Sequence, residues 1–157
     1  MKTGIIYATQ HGCTEKCALK LKSELPGETE LYHIKKDAQP PLEKFDTVLI
    51  GGSIHAGMVQ RSIQKFCKKH LDLLLKKNIG LFLCCMEKGD KAEEQFNTAF
   101  PQKLRDHAKA KGCFGGAFDF DKMNFIEKAI IKKVANIEES ISAVSEKSIQ
   151  KFIQEVK

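Results

Sequence analysis

Thr9, Gly12 and Thr14 lie close together in the stretch YATQHGCT, residues 7–14. An apolar run, KTGIIYA, leads in, and a helical pattern, TEKCALKLKSEL, leads out. Two hydroxyls and the amides of residues 10–14 can form a nest at a helix N-terminus. Unsatisfied N–H groups and the helix dipole favour an anion there, a phosphate above all. Gly12 permits the tight turn and a close approach. The same residues also read as an ordinary strand–helix connection with a threonine cap. Spacing excludes other phosphate loops: no G-x-G-x-x-G, no G-x-x-x-x-G-K-[ST], and no cysteine followed by five residues and an arginine.

Two more loops carry polar chemistry. GGSIHAGMVQRS, residues 51–62, has three glycines in seven residues, which suits close backbone approach to something flat. Ser53 and His55 supply polar contacts. His55 is the one candidate catalytic residue, as a proton carrier near neutral pH, and it also reads as an exposed loop histidine. CCMEKGDK, residues 84–91, has a small, polarizable entry and a glycine that could border a planar ligand.

Cysteines occur at 13, 17, 67, 84, 85 and 113, with no C-x-x-C pair. That argues against zinc, and no metal is expected. The six read as reduced thiols of a cytosolic protein, most simply as small buried residues. Cys84 and Cys85, adjacent on a predicted strand, must point to opposite faces.

Strands and helices alternate to position these loops. Strands are predicted at 2–8, 29–34 (near an edge), 46–51, 79–85 and 113–119. Helices are predicted at 14–25, 60–76, 91–110, 123–135 and 145–156. Five strands alternating with helices in 157 residues imply one domain, 1–157, with a parallel sheet between two helical layers. Ligands of such folds bind beyond the C-terminal strand ends, where the three loops leave.

The chain carries a net charge of +6, which permits an anionic partner. Basic and aromatic residues are not interleaved as in single-strand binders, so nucleic acid is not expected. No apolar run reaches the length of a membrane span.

Together the loops resemble the flavodoxin family. Thr9, Gly12 and Thr14 match its T-x-x-G-x-T phosphate turn, and GGSIHAG and CCMEKGD stand where its two ring-gripping loops stand. The resemblance implies a flavodoxin-like three-layer sandwich with strand order 2-1-3-4-5 and FMN as cofactor. It implies that Thr9, Gln10, His11, Gly12, Cys13 and Thr14 hold the phosphate. Ser53, Ile54, His55, Ala56, Gly57, Cys85, Met86, Glu87, Lys88 and Gly89 would border the ring.

YATQHGCTEKCALKLKSEL, FDTVLIGGSIHAGMVQRSIQKFCKKH and the basic tail further resemble the quinone-linked protoporphyrinogen dehydrogenase branch. That branch has an extra segment between the last strand and last helix, a place filled here by 120–144. This implies a two-electron oxidoreductase passing electrons from a porphyrinogen-like molecule to a quinone. It would be cytoplasmic, with peripheral contact to the inner face of the membrane through 123–135. The alternatives are a flavodoxin-type carrier between redox proteins and a binding module that has lost its cofactor. The chain is basic, lacks tryptophan, and has only Tyr7 and Tyr32 as tyrosines, neither placed to cover the ring. The ring is therefore expected to be open, with Ile54, His55 and Met86 as neighbours. Lys88 and Lys91 would favour the anionic reduced flavin and raise its potential.

Overall fold

Alternate burial along each strand builds two apolar layers. The computed structural model describes residues 1–9, 12–55, 57–85, 89–115, 117–118, 141–142 and 145–157. In β1 (Lys2–Tyr7), Ile6 joins one cluster, while Ile5 and Tyr7 join the other. In β3 (Thr47–His55), Val48 and Ile50 face the first cluster and Leu49 the second. This period of two marks a sheet buried on both faces.

The edge strand β2 (Glu28–His33) pairs in parallel with β1, and β1 with β3. After the two-residue β4 (Met58–Val59), β3 pairs in parallel with β5 (Asn78–Cys84), and β5 with β6 (Ala110–Cys113). The order β2-β1-β3-β5-β6 is the expected 2-1-3-4-5 order once β4 is set aside. β4 folds back antiparallel on β3 and makes the sheet six-stranded.

Helix α1 (Cys13–Glu24) covers the second cluster through Cys17, Ala18 and Leu21. The other face is covered by α2 (Arg61–Lys69), α3 (Leu71–Leu74), α4 (Asp90–Ala99) and α5 (Gln102–His107), through Ile63, Leu74, Phe96 and Leu104. The last helix, α6 (Glu146–Val156), lies beside α1, capped by Ser145, whose hydroxyl accepts from the Ser148 N–H. Its Phe152 meets the rings of Phe82 and Phe114 edge-on, at 5.9 and 5.3 Å.

Three expectations need correction. The helix predicted at 60–76 is two helices, broken at His70, whose backbone is non-helical (φ −106°, ψ 15°). The helix predicted at 91–110 is also two: Phe100 is extended before Pro101, which cannot donate the next helical bond. The last parallel strand lies at Ala110–Cys113, not 113–119. Its last ladder bond runs from the Phe114 N–H to the Leu83 carbonyl at 2.9 Å, and the Phe114 ring stacks on Phe82 at 5.3 Å. Beyond it, β7 (Ala117–Phe118) and β8 (Ile141–Ser142) pair antiparallel, so the chain departs and returns at one place. The helix predicted at 123–135 lies outside the described residues. Among the described residues, no helix is long and apolar enough to cross a membrane.

Candidate functional site

Because β1, β3 and β5 are parallel neighbours, the loops at their C-terminal ends leave one edge of the sheet. The Ala8 N–H, just past β1, donates to the Gly51 carbonyl at 3.1 Å and pins the first loop to β3.

The first loop is held by its own residues. Thr9 Oγ1 accepts from the Gly12 N–H at 2.9 Å, and the Gly12 carbonyl starts the helical ladder by accepting from Lys16. Gly12 sits in the left-handed region at φ 91°, which strains any side chain. It is the N-cap of α1, and no side chain caps this helix end. A threonine cap is therefore not what the turn is for. The opening N–H groups of α1 have no partner within the helix. Thr14 is wholly buried, yet its hydroxyl has no hydrogen-bond partner. Such an atom costs about 1–3 kcal/mol. Thr3, Thr29 and Thr47 also carry unpartnered hydroxyls, at the start of the sheet and away from this edge, while Ser62 Oγ and Gln95 Oε1 are unpartnered beside the two cavities described below. An orphaned hydroxyl beside orphaned amides fits a phosphate, which would satisfy both.

The second loop is a rigid hairpin. β3 continues through Ser53 and Ile54 to His55, and β4 turns back on it, pairing Ile54 with Val59 and His55 with Met58. The Gln60 side chain locks the base: Oε1 accepts from the Ser53 N–H at 3.0 Å, and Nε2 donates to Ser53 Oγ at 2.7 Å. Gly51 and Gly52 are not there for a ligand. A Cβ on Gly51 would lie 2.0 Å from the Phe82 ring, and one on Gly52 would lie 2.6 Å from Val59. The first two glycines serve packing. Gly57, at φ +80° in the hairpin turn, has nothing within 4 Å of its missing Cβ among the described residues, and of the three glycines in this loop it is the one that leaves room for a flat group.

Beside the hairpin lies a cavity of about 500 Å³, lined by His55, Met58, Gln60, Lys35, Arg61 and Lys65 among others. None of its described lining residues is acidic. Met58, at 52% exposure, presents an apolar surface at the rim. A smaller cavity of about 280 Å³ runs from Gly57 to Lys91, Glu94, Gln95 and Thr98 of α4. It joins the second loop to the helix that follows the third.

The third loop leaves β5 at Cys85, which is buried, and re-enters at Gly89 before α4. A hydrogen bond with Cys85 lowers the Cys113 thiol below its ordinary range. The structure thus brings Thr9, Gly12, Cys13, Thr14, Ser53, Ile54, His55, Gly57, Cys85 and Gly89 to one edge. Gln10, His11, Ala56, Met86, Glu87 and Lys88 lie outside the described residues. Tyr7 is buried below the first loop, 5.2 Å from the His33 ring. Its hydroxyl is pushed up to about 12 by burial and by the Glu15 carboxylate it bonds at 3.3 Å.

Sequence reasoning missed the lock made by Gln60 and the cations that line the cavity. A basic helix start was visible, but not that it would turn Arg61 and Lys65 toward the hairpin. It also missed a group of thiols. The sulfurs of Cys13, Cys17 and Cys84 all lie within 4.8 Å of one another, buried. No disulfide joins any of the six cysteines. Hydrogen bonding to Cys13, together with burial, pushes the Cys17 thiol up to about 12, against a lowering by Cys84.

Comparison with known proteins agrees with this geometry. The chain is 36% identical over 73 residues to the protoporphyrinogen IX dehydrogenase [quinone] of Escherichia coli (strain K12), covering 45% of this chain and 40% of that protein. The chain's match thus spans two fifths of that relative's length. An uncharacterised protein of Methanocaldococcus jannaschii is 31% identical over 121 residues, covering 71% of this chain and 69% of the relative. The structure of a Fusobacterium nucleatum flavodoxin bound to flavin mononucleotide superposes with a TM-score of 0.51 at 16% identity, covering 99% of this chain and 96% of that one. The flavodoxin-domain family model matches residues 4–144, nearly the whole chain, and the chain belongs to that family.

Proposed function

We propose that this protein is an FMN-binding redox flavoprotein that oxidises a small, anionic, reduced organic substrate of the porphyrinogen type and passes the electrons to a quinone. FMN is its cofactor. The observation that carries this is the buried, unpartnered Thr14 hydroxyl at the uncapped start of α1. In this reading the Thr14 hydroxyl donates to the phosphate, and Thr9, already accepting from Gly12, fixes the turn. Gln10, His11 and the Cys13 amide complete the cradle. Ser53, Ile54, His55, Ala56 and Gly57 border one side of the ring, and Cys85, Met86, Glu87, Lys88 and Gly89 the other. When bound, FMN supplies electron and hydride exchange.

Two things support an anionic substrate. The Escherichia coli relative acts on protoporphyrinogen, a molecule bearing carboxylates. The cavity beside His55 is lined by Lys35, Arg61 and Lys65, with no described acid among its lining residues. Arg61 and Lys65 orient the carboxylates there, and His55 at the rim holds or releases the substrate proton. The chain is a single domain, 1–157, in which 120–144 is an insertion, and 123–135 meets a membrane surface where quinone dissolves. The protein works in the cytoplasm at that surface. A second reading, a carrier between redox proteins, draws on the net charge of +6, which would dock acidic partners.

Two experiments test this. Visible absorption of the purified protein, with release of the chromophore, should identify FMN; a colourless protein that ignores added FMN overturns the cofactor reading. Anaerobic turnover of protoporphyrinogen with menaquinone should exceed electron delivery to an acidic redox protein. The reverse order favours the carrier.

A further inference from the structure

We infer that Cys13, Cys17 and Cys84 form a binding site for one soft, thiophilic cation, and that monovalent copper is the ion the geometry fits. The inference does not depend on the flavin reading, because it rests on the three sulfurs, whereas that reading uses only the backbone amide of Cys13.

The fold assembles the site from spacings that are invisible as a motif. Cys13 and Cys17 stand four residues apart and share a face of α1. Cys84 ends β5, under that face. Cys84 and Cys17 sulfurs are 3.5 Å apart, and all three lie within 4.8 Å. For a metal–sulfur bond of about 2.3 Å, a planar three-sulfur site needs sulfur–sulfur edges of about 4 Å. Small rotamer adjustments suffice.

Ligand type selects the ion. Among the described residues, no histidine or carboxylate joins the group, so hard cations have nothing to bind. Structural zinc takes four ligands, and the described residues supply three. Thiolates alone, three in number, suit monovalent copper. The surroundings are apolar: Leu21, Leu49, Phe82 and Phe114 belong to the same cluster. Such a shell protects a monovalent state from oxidation. Exposure is 7% at Cys13 and 2% at Cys17 and Cys84, so the three thiols are shielded from water. Binding changes no oxidation state. Copper–sulfur bonds form, the S–H bonds of the coordinating thiols break, and their protons pass to solvent. The negative charge left behind lies at the positive end of α1, because Cys13 is its first residue.

The test is an anaerobic titration of the reduced holoprotein with monovalent copper held by a chromophoric chelator, followed by X-ray absorption. One copper per chain with a shell of three sulfurs is expected, and zinc should compete poorly. Cys17→Ala and Cys84→Ala should lose the site. Cys67→Ala, which removes a buried thiol from the cluster on the other face of the sheet, should keep it. Copper retained by Cys17→Ala, or lost from Cys67→Ala, overturns the inference. So does a shell containing nitrogen, oxygen or only two sulfurs, or a Cys17–Cys84 disulfide formed in place of binding. If either alanine variant fails to fold, the sulfur count on the unaltered protein decides alone.

Discussion

The first and second loops leave the same edge of the sheet, yet they are built in opposite ways. The first leaves a polar atom unsatisfied: the Thr14 hydroxyl is buried without a hydrogen-bond partner, at a helix start that no side chain caps. The hairpin of the second satisfies itself, with Ser53 and Gln60 closing both of their bonds and β4 zipped onto β3, although the Ser62 hydroxyl beyond it is buried without a partner. The charges differ as well. No cation faces the first turn among the described contacts, whereas the second borders Lys35, Arg61 and Lys65. A loop that waits for a fixed anion can hold it with neutral dipoles that cost nothing to reorganise on binding. A loop that receives a passing molecule is better made rigid, with mobile charge at its margin.

The largest effect should come from Gly12. Gly12→Val at φ 91° incurs about 1–2 kcal/mol of backbone strain and turns the following amides away. Losing two amide bonds to an anion costs about 3 kcal/mol or more. FMN affinity, read by fluorescence quenching, should fall by more than about a hundredfold. Affinity within threefold of the unaltered protein would show that the turn does not hold the phosphate.

Thr14→Val sharpens the contrast, because two readouts should move in opposite directions. The substitution is nearly isosteric and removes an unpartnered buried hydroxyl. The melting temperature of the apoprotein should hold or rise. FMN affinity should drop by about tenfold or more, the worth of a hydrogen bond to a charged group. A less stable apoprotein with unchanged affinity would make Thr14 a structural residue.

Gln60→Leu probes the self-satisfied loop and should behave in the reverse manner. It breaks two hydrogen bonds and orphans the Ser53 N–H. The cost is about 1–2 kcal/mol. For a chain of this size that lowers the apoprotein melting temperature by about 2–8 °C. An apoprotein as stable as the original would mean that the hairpin draws its rigidity from the β3–β4 ladder alone.

The contrast also explains what could be read in advance. Thr9, Gly12 and Thr14 lie within one short turn, so the place of the turn and its glycine were legible from local spacing. Most strand and helix positions were legible too, because apolar runs and helical periods are local, whereas the strand order came from the resemblance to the flavodoxin family. The second loop was legible only in position. That Gly51 yields to the Phe82 ring, and Gly52 to Val59, depends on neighbours across the sheet and in the hairpin. The breaks at His70 and Pro101 were hidden differently: apolar periodicity ran on through both, and at the second the proline was a visible stop signal that the pattern outweighed. Cys13, Cys17 and Cys84 share no linear motif because the third comes from β5, and only parallel pairing through β3 places that strand's end near α1.

The smallest expected effect tests the margin of the second loop. Arg61 is exposed at the start of α2, and Lys65 is exposed one turn on. In water each contributes at most about 1 kcal/mol to holding an anion. Replacing both with glutamine should leave the melting temperature and FMN affinity unchanged. It should raise KM for a carboxylate-bearing substrate several-fold and leave kcat alone, the mark of lost uniform binding. The difference should shrink as ionic strength rises past about 0.15 M, where the screening length falls to about 8 Å. An unchanged KM at low salt would move substrate capture elsewhere. A lowered kcat with KM intact would instead place these cations at the transition state, and the second loop would then share the preorganised character of the first.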